Sequence, residues 1–217
     1  MATYLDRQQI RHRRQIQRRF DDDQQRMATL ITMILLSFAR ADASGNRIIP
    51  TDQRTRLAIK AAIWTQVLKP YYIGGGSEPF NDAVPQSPFA RLMRDGIEGA
   101  IGIQVGRQIA LLKRYIKDET VLNWFLSPST NALELPATSQ PNFQQPFYAH
   151  VDGNGYKLND RIMRNAIDAR AKIDRMIDYH IAAGVAVVLI GVALQNYMTI
   201  SGRTTGKPYG EYAAWAA

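Results

Sequence analysis

The sequence contains no cysteine. That removes disulfides, thiolate metal sites and cysteine nucleophiles together, and it fits a reducing compartment without requiring one. Histidine is almost as scarce. His12, His150 and His180 lie far apart with no ligand spacing, which argues against a zinc site. There is no HExxH, no GxSxG and no paired-carboxylate pattern, so the sequence nominates no catalytic residue, metal ligand or cofactor. A non-enzymatic protein is the expectation. Gly74-Gly75-Gly76 lacks the preceding strand and following helix of a phosphate loop and reads as a flexible link. A signal peptide is not expected, because the N-terminus is too charged and its first apolar run starts too late. Acidic residues are the minority, with 19 Asp and Glu against 27 Lys and Arg in 217 residues, for a net charge of +8. With 46% hydrophobic residues, wholesale disorder is excluded, and the basic excess points to an acidic partner. Nucleic acid, an anionic membrane face and an acidic protein all qualify.

What is present is mostly helical patterning. From Tyr4 to Ala43 there is neither Gly nor Pro. Leu5, Ile16, Phe20, Met27, Leu30, Ile34 and Phe38 fall within one narrow helical stripe, dense from Met27 onward and sparse before it. This predicts one long helix, closed by Ser44-Gly45-Asn46, with its second half anchored in a core and its first half projecting. A second helix is expected from Thr51 to Lys69, between Pro50 and Pro70, with Leu57, Ala61, Trp64 and Leu68 facing inward. Tyr71 to Ser87 reads as a loop. Ser87-Pro88 reads as an N-cap with Pro at the first helical position. It opens a third helix to about Lys117, with Phe89, Leu92, Ile109, Leu112 and Ile116 on buried faces. A short helix is compatible with 118–126. Four prolines between Ser127 and Val151 mark a long irregular stretch, and 147–156 is compatible with a small hairpin. Asn159 reads as the cap of a fourth helix, with Leu158 and Met163 as its staple and Ile162, Ala166, Ile173, Ile177 and Ile181 as its apolar face.

Three features suit binding. Arg7, Arg11, Arg14 and Arg18 share one helical face, and residues 1–20 hold six Arg against one Asp, a net +5. Such a ridge suits phosphates in a salt-dependent way, or an acidic protein surface, or it is simply a solvated face. Asp21-Asp22-Asp23 fan around the helix, cannot form one metal site, and read as solvated. Gly96, Gly99, Gly102 and Gly106 form a stripe that permits close helix packing. Ile181 to Met198 carries no charge over 18 residues, at the lower limit for a membrane span. Gly184, Gly191, Gln195 and Asn196, with no flanking Lys/Arg cluster, favour a buried helix instead. His180, at its start, reads as a core or last-turn residue.

As a block, Tyr156-Lys-Leu-Asn-Asp-Arg-Ile162, Arg170-Ala-Lys-Ile-Asp174, Ile177-Asp-Tyr-His-Ile-Ala-Ala-Gly184 and Lys207-Pro-Tyr-Gly210 resembles the minor head proteins of tailed phages, the Mu F-like head morphogenesis family. The likeness covers about residues 147–212, and its motifs concern packing and turns. It implies a virion protein of few copies, in the head interior, portal vertex or neck, and in the host cytoplasm during assembly. Its partners would be the portal or other head and neck proteins, with DNA contact in some members. Two departures stand out. Tyr212-Ala-Ala-Trp-Ala-Ala217 occupies the place of the family's "ARRxARTE" helix, which puts in doubt any function housed there. Val185-Ala-Val-Val-Leu-Ile-Gly-Val-Ala193 replaces its polar "TSAVDIAxxLE" segment. That loss of charge implies a more deeply buried helix, with Val185, Val188, Leu189 and Val192 against another subunit.

The expectation is therefore a mostly α-helical structural protein. Residues 1–43 form the long basic helix, 44–126 a helical body and 127–157 an extended loop or hairpin. Residues 158–202 form a C-terminal helical pair and 203–217 a tail. The rival readings are a membrane-active ejection or pore protein using residues 181–198, and a stand-alone nucleic-acid-binding module.

Overall fold

A computed structural model describes residues 4–81, 84–121 and 155–199. The architecture is mostly α-helical, as expected, and α1 (Tyr4–Phe38) is its spine. At about 1.5 Å per residue its 35 residues span about 52 Å. It ends five residues earlier than the sequence pattern suggested. Asp42 accepts hydrogen bonds from the backbone N–H groups of Ser44 and Asn46, both at 2.8 Å. That side chain closes a tight turn, so the chain leaves the helix to form a hairpin of β1 (Arg40–Ala41) and β2 (Arg47–Ile48), with Arg40 opposite Ile48.

The buried stripe of α1 is rotated from the expected one. Ile16, Phe20, Gln24, Met27, Ile31 and Leu35 are buried, whereas Leu30 is exposed and Ile34 and Phe38 are half-buried. The cause is that α1 is covered on more than one side. Helices α2 (Gln53–Ile63), α4 (Pro88–Tyr115) and α6 (Val187–Met198) all pack on it. On the α6 side, a Cβ on Gly191 would stand 2.8 Å from the Thr32 side chain, so the two helices approach closely.

The second helix also differs. Asp52 caps α2 by accepting from the Thr55 N–H at 2.8 Å. The chain then passes through a π turn (Trp64–Leu68) into α3 (Lys69–Tyr72), carrying Pro70 inside the helical run. Proline has no N–H to donate and its ring collides with the carbonyl four residues back in an α-helix. The π turn removes that conflict, since the Lys69 N–H bonds the Trp64 carbonyl five residues back. The extra residue also shifts the inward face. Ile59, Ile63, Val67, Leu68, Tyr71 and Tyr72 are buried, while Leu57 and Ala61 face solvent and Trp64 is half-buried. Tyr71 and Tyr72 thus belong to the core and not to a loop. With Phe20 and Phe89 they form an aromatic cluster at centroid distances of 4.9 to 6.3 Å, which ties α1, α3 and α4 together.

Gly74 is not a flexible link. Its φ is +86°, and a Cβ there would lie 2.0 Å from the Gln86 carbonyl oxygen. Only glycine lets the chain fold back so closely. The second hairpin follows, β3 (Phe80–Asn81) against β4 (Val84–Pro85). Ser87 is fully buried and caps α4 as expected, accepting from the Ala90 N–H at 3.0 Å. Its hydroxyl also donates to the Tyr72 carbonyl at 2.9 Å, locking the start of α4 to the end of α3.

Helix α5 (Leu158–Ala182) buries Ile162, Ala166, Ile173, Ile177 and Ile181, the face expected of it. Its cap is Lys157 rather than Asn159. The Asp160 carboxylate accepts from the Lys157 N–H at 2.9 Å. That frees the Asn159 amide to accept from the Phe80 N–H and donate to the Phe80 carbonyl, each at 3.0 Å, clasping β3 to α5. Gly184, at φ +65°, ends α5 before α6 begins. Apart from residues 155–157, the 127–157 loop and the 147–156 hairpin lie outside the described residues, as does the 203–217 tail.

Candidate docking surfaces

The first half of α1 does not project freely. From Phe20 back to His12 it lies along α4. Phe20 meets Phe89 edge to face, Arg19 pairs with Asp95 at 2.8 Å, and the His12 Nε2 bonds the Gly96 carbonyl at 3.0 Å. Gly99 makes room for that ring, since a Cβ there would sit 2.1 Å from His12 Cε1. Half of the glycine stripe is therefore a helix contact. Gly102 and Gly106 have open space above them.

Arg7, Arg11, Arg14 and Arg18 are all exposed, and among the described residues no carboxylate pairs with them. Packing against α4 uses the opposite side of α1, so the ridge is held on a rigid two-helix element. Asp23 departs from the solvated reading of the acidic triplet. It is half-buried beside the buried Tyr71 and Gln24, and burial raises its carboxyl above the usual value, with Arg26 opposing. The Tyr71 hydroxyl and the Gln24 amide nitrogen are buried beside Asp23, and among the described residues neither meets a partner in good hydrogen-bond geometry.

At the other end of α1 sits α6. Val187, Ile190, Gly191, Leu194 and Met198 are buried. Val188, Leu189 and Val192 point the other way and are 64%, 61% and 49% exposed. Val185 is half-buried against the core and does not join them. The expectation of a helix buried more deeply is therefore met on one face only within this chain. The helix is 12 residues long, about 18 Å, against about 30 Å of bilayer hydrocarbon. Among the described residues no helix is long and apolar enough to cross a membrane. Thr32, beneath α6, and Arg18, at the near end of the ridge, are 14 positions apart on α1, about 21 Å along its axis.

Sequence reasoning missed a charged clasp between α2 and α5. Lys60 pairs with Asp178, and the Arg170 guanidinium lies over the Trp64 ring at 4.9 Å while reaching Asp174 at 3.8 Å. Burial raises the Asp174 carboxyl above its ordinary value, with Lys60 and Arg170 opposing. Only the i,i+4 spacing of Arg170 and Asp174 was a sequence signal for it. In the last turn of α5, the His180 Nδ1 is buried and has no hydrogen-bond partner among the described residues. Among the described residues no group of three or more His, Asp or Glu is placed to hold a metal ion. Comparison of the chain with protein-family models, curated proteins and solved structures finds no match.

Proposed function

We propose that this chain is a structural, non-enzymatic component of a tailed-phage particle, a minor head protein at the portal vertex or neck. The observation that carries the reading is the bare apolar face of α6. Three large aliphatic residues stand in water on a helix without a charge, clamped by its other face to the spine of the fold. Scattered exposed apolar residues need no explanation, whereas a contiguous face on a rigid helix suits a docking anchor. The likeness of residues 147–212 to the Mu F-like head family supplies the particle context, and the portal or another head protein is the partner it favours. The ridge of Arg7, Arg11, Arg14 and Arg18 would then face DNA or an acidic portal surface.

The test is incorporation into particles. The triple substitution Val188→Ser, Leu189→Ser, Val192→Ser touches no core contact, so the free chain should keep its helix content and thermal midpoint. The reading expects this variant to be lost from assembled heads that retain the wild-type chain. Equal incorporation of both, or recovery of the wild type only as a free protein, would refute it. In the same preparations, Arg→Gln changes at the four ridge positions should flatten the salt dependence of DNA binding if the ridge meets phosphates.

A further inference from the structure

Helix α4 outruns the helix it packs on. Phe20 meets Phe89 and His12 meets Gly96 and Gly99, so α1 and α4 run antiparallel. Carrying that register to Tyr4 reaches the level of Val105. Residues 106–115 of α4 then continue about 15 Å past the described start of α1. The side of α4 that faces α1 carries Phe89, Met93, Gly96 and Ala100, and at helical spacing it continues with Ile103, Arg107, Leu111 and Arg114. Beyond the level of Val105 no described residue of α1 lies opposite. Leu111 is 47% and Tyr115 78% exposed, and Arg107 and Arg114 are exposed on the same side of the helix, whereas Lys113 points away from it.

The charge here is one-sided. Residues 100–117 hold Arg107, Lys113, Arg114 and Lys117 and no carboxylate, and Asp118 and Glu119 come only after the helix has ended. Lys113 and Arg114 suit the negative end of a helix dipole, but that effect fades within one turn and does not account for Arg107. We propose that this overhang docks an acidic amphipathic helix of a partner protein, laid against α4 where α1 leaves off. Its apolar side would cover Leu111 and Tyr115, and its carboxylates would meet Arg107 and Arg114. Charge selects among the occupants. A second copy of the overhang would set the same cations against one another, which disfavours self-pairing. Duplex nucleic acid would use the cations but has no need of an apolar pair between them. An acidic amphipathic helix satisfies both features through anchors at i, i+3, i+4 and i+7.

The overhang is distinct from the α6 face and the arginine ridge, so its failure leaves the particle reading standing. The experiment uses the full chain and a fluorescent Leu/Glu amphipathic peptide, followed by anisotropy. Three controls run beside it: a Glu/Gln peptide of equal charge without leucine, a Leu/Lys peptide, and a DNA duplex. The Leu/Glu peptide should bind, and the Leu/Lys peptide should not. The pairs Leu111→Gln with Tyr115→Gln, and Arg107→Glu with Arg114→Glu, alter exposed side chains, and circular dichroism checks that the fold persists. Each should weaken binding by about tenfold or more, whereas Arg→Gln changes on the α1 ridge should not. Absence of Leu/Glu binding would overturn the proposal, as would equal binding of the Glu/Gln peptide or of DNA unaffected by the Leu111/Tyr115 pair. Self-association of the chain alone, lost in the same variants, would assign the overhang to a second copy instead.

Discussion

Asn159 offers a sharp test of how the α5 end of the fold is held. Its amide presents one acceptor and one donor to the backbone of Phe80, each at 3.0 Å, and its nitrogen also reaches Glu78 Oε2 at 2.8 Å. The side chain thus acts as a one-residue neighbouring strand for β3. Phe80 itself is 3% exposed, so its N–H and C=O have little access to water if the amide is removed. A net hydrogen bond contributes about 0.5–1.5 kcal/mol, and an orphaned buried group costs about 1–3 kcal/mol. Asn159→Ala should therefore destabilise by about 1–3 kcal/mol, which lowers the thermal midpoint by about 2–4 °C per kcal/mol in a chain of this size. Asn159→Asp separates the donor from the acceptor. At neutral pH the carboxylate can still accept from Phe80 N–H, but it cannot donate to the carbonyl, and it faces Glu78. It should be at least as destabilising as alanine at pH 7. On acidification the protonated side chain regains a donor and the deficit relative to wild type should shrink. Urea titration is the assay, with the midpoint shifting at constant m-value. Wild-type stability of the Asp variant at pH 7 would refute the clasp.

Two further predictions concern helix packing and buried charge. Gly102→Ala and Gly106→Ala meet open space in mid-helix and should each stabilise by about 0.5–1 kcal/mol, whereas Gly99→Ala displaces the His12 ring and should lose that gain. A thermal melt of the His12→Ala background, in which Gly99→Ala becomes stabilising, checks the cause. Burial raises the Asp174 carboxyl, so its ionised form is less favoured in the folded chain than in the unfolded one. The resulting penalty is absent below the unfolded pKa, grows as pH rises through the folded pKa, and is complete above it. Asp174→Asn should therefore unfold at higher urea than wild type at pH 7. The gap should close as pH falls through the carboxylate range, and a variant less stable at pH 7 would contradict the sign.

The elements that were legible in the sequence are those whose signal is local. Ser87-Pro88 announces the start of α4 because a cap and an N1 proline act within one turn. The isoleucine ladder of α5 was readable because one face alone is buried. Local rules failed where a distant group changed the outcome. Asn159 has the chemistry of a cap, yet Asp160 supplies the capping bond and β3 claims the amide. Pro70 reads as a stop, but a π turn carries the helix past it, and the aromatic cluster buries the residues beyond. The turn adds one residue to the register, which is why Leu57, Ala61 and Trp64 formed a plausible but incorrect inward face. Periodicity assumes constant pitch, and here the pitch changes.

The docking surfaces were legible in a different measure, set by charge. Four arginines at helical spacing declare an exposed face, because unpaired guanidinium groups are not buried, and all four are exposed. An apolar helix makes no such declaration. Val187 and Val188 are adjacent and chemically identical, yet the first is fully buried and the second is 64% exposed. Composition shows only that α6 could be covered on every side, and hydrophobicity alone does not say by what. The answer lies in which face α1 packs on: it covers the face bearing Gly191 and leaves that of Val188, Leu189 and Val192 in water. The α4 overhang is likewise a matter of arrangement, since Leu111 and Tyr115 lie beyond the level at which described residues of α1 face α4. Both surfaces are set by how the helices are assembled rather than by any one segment.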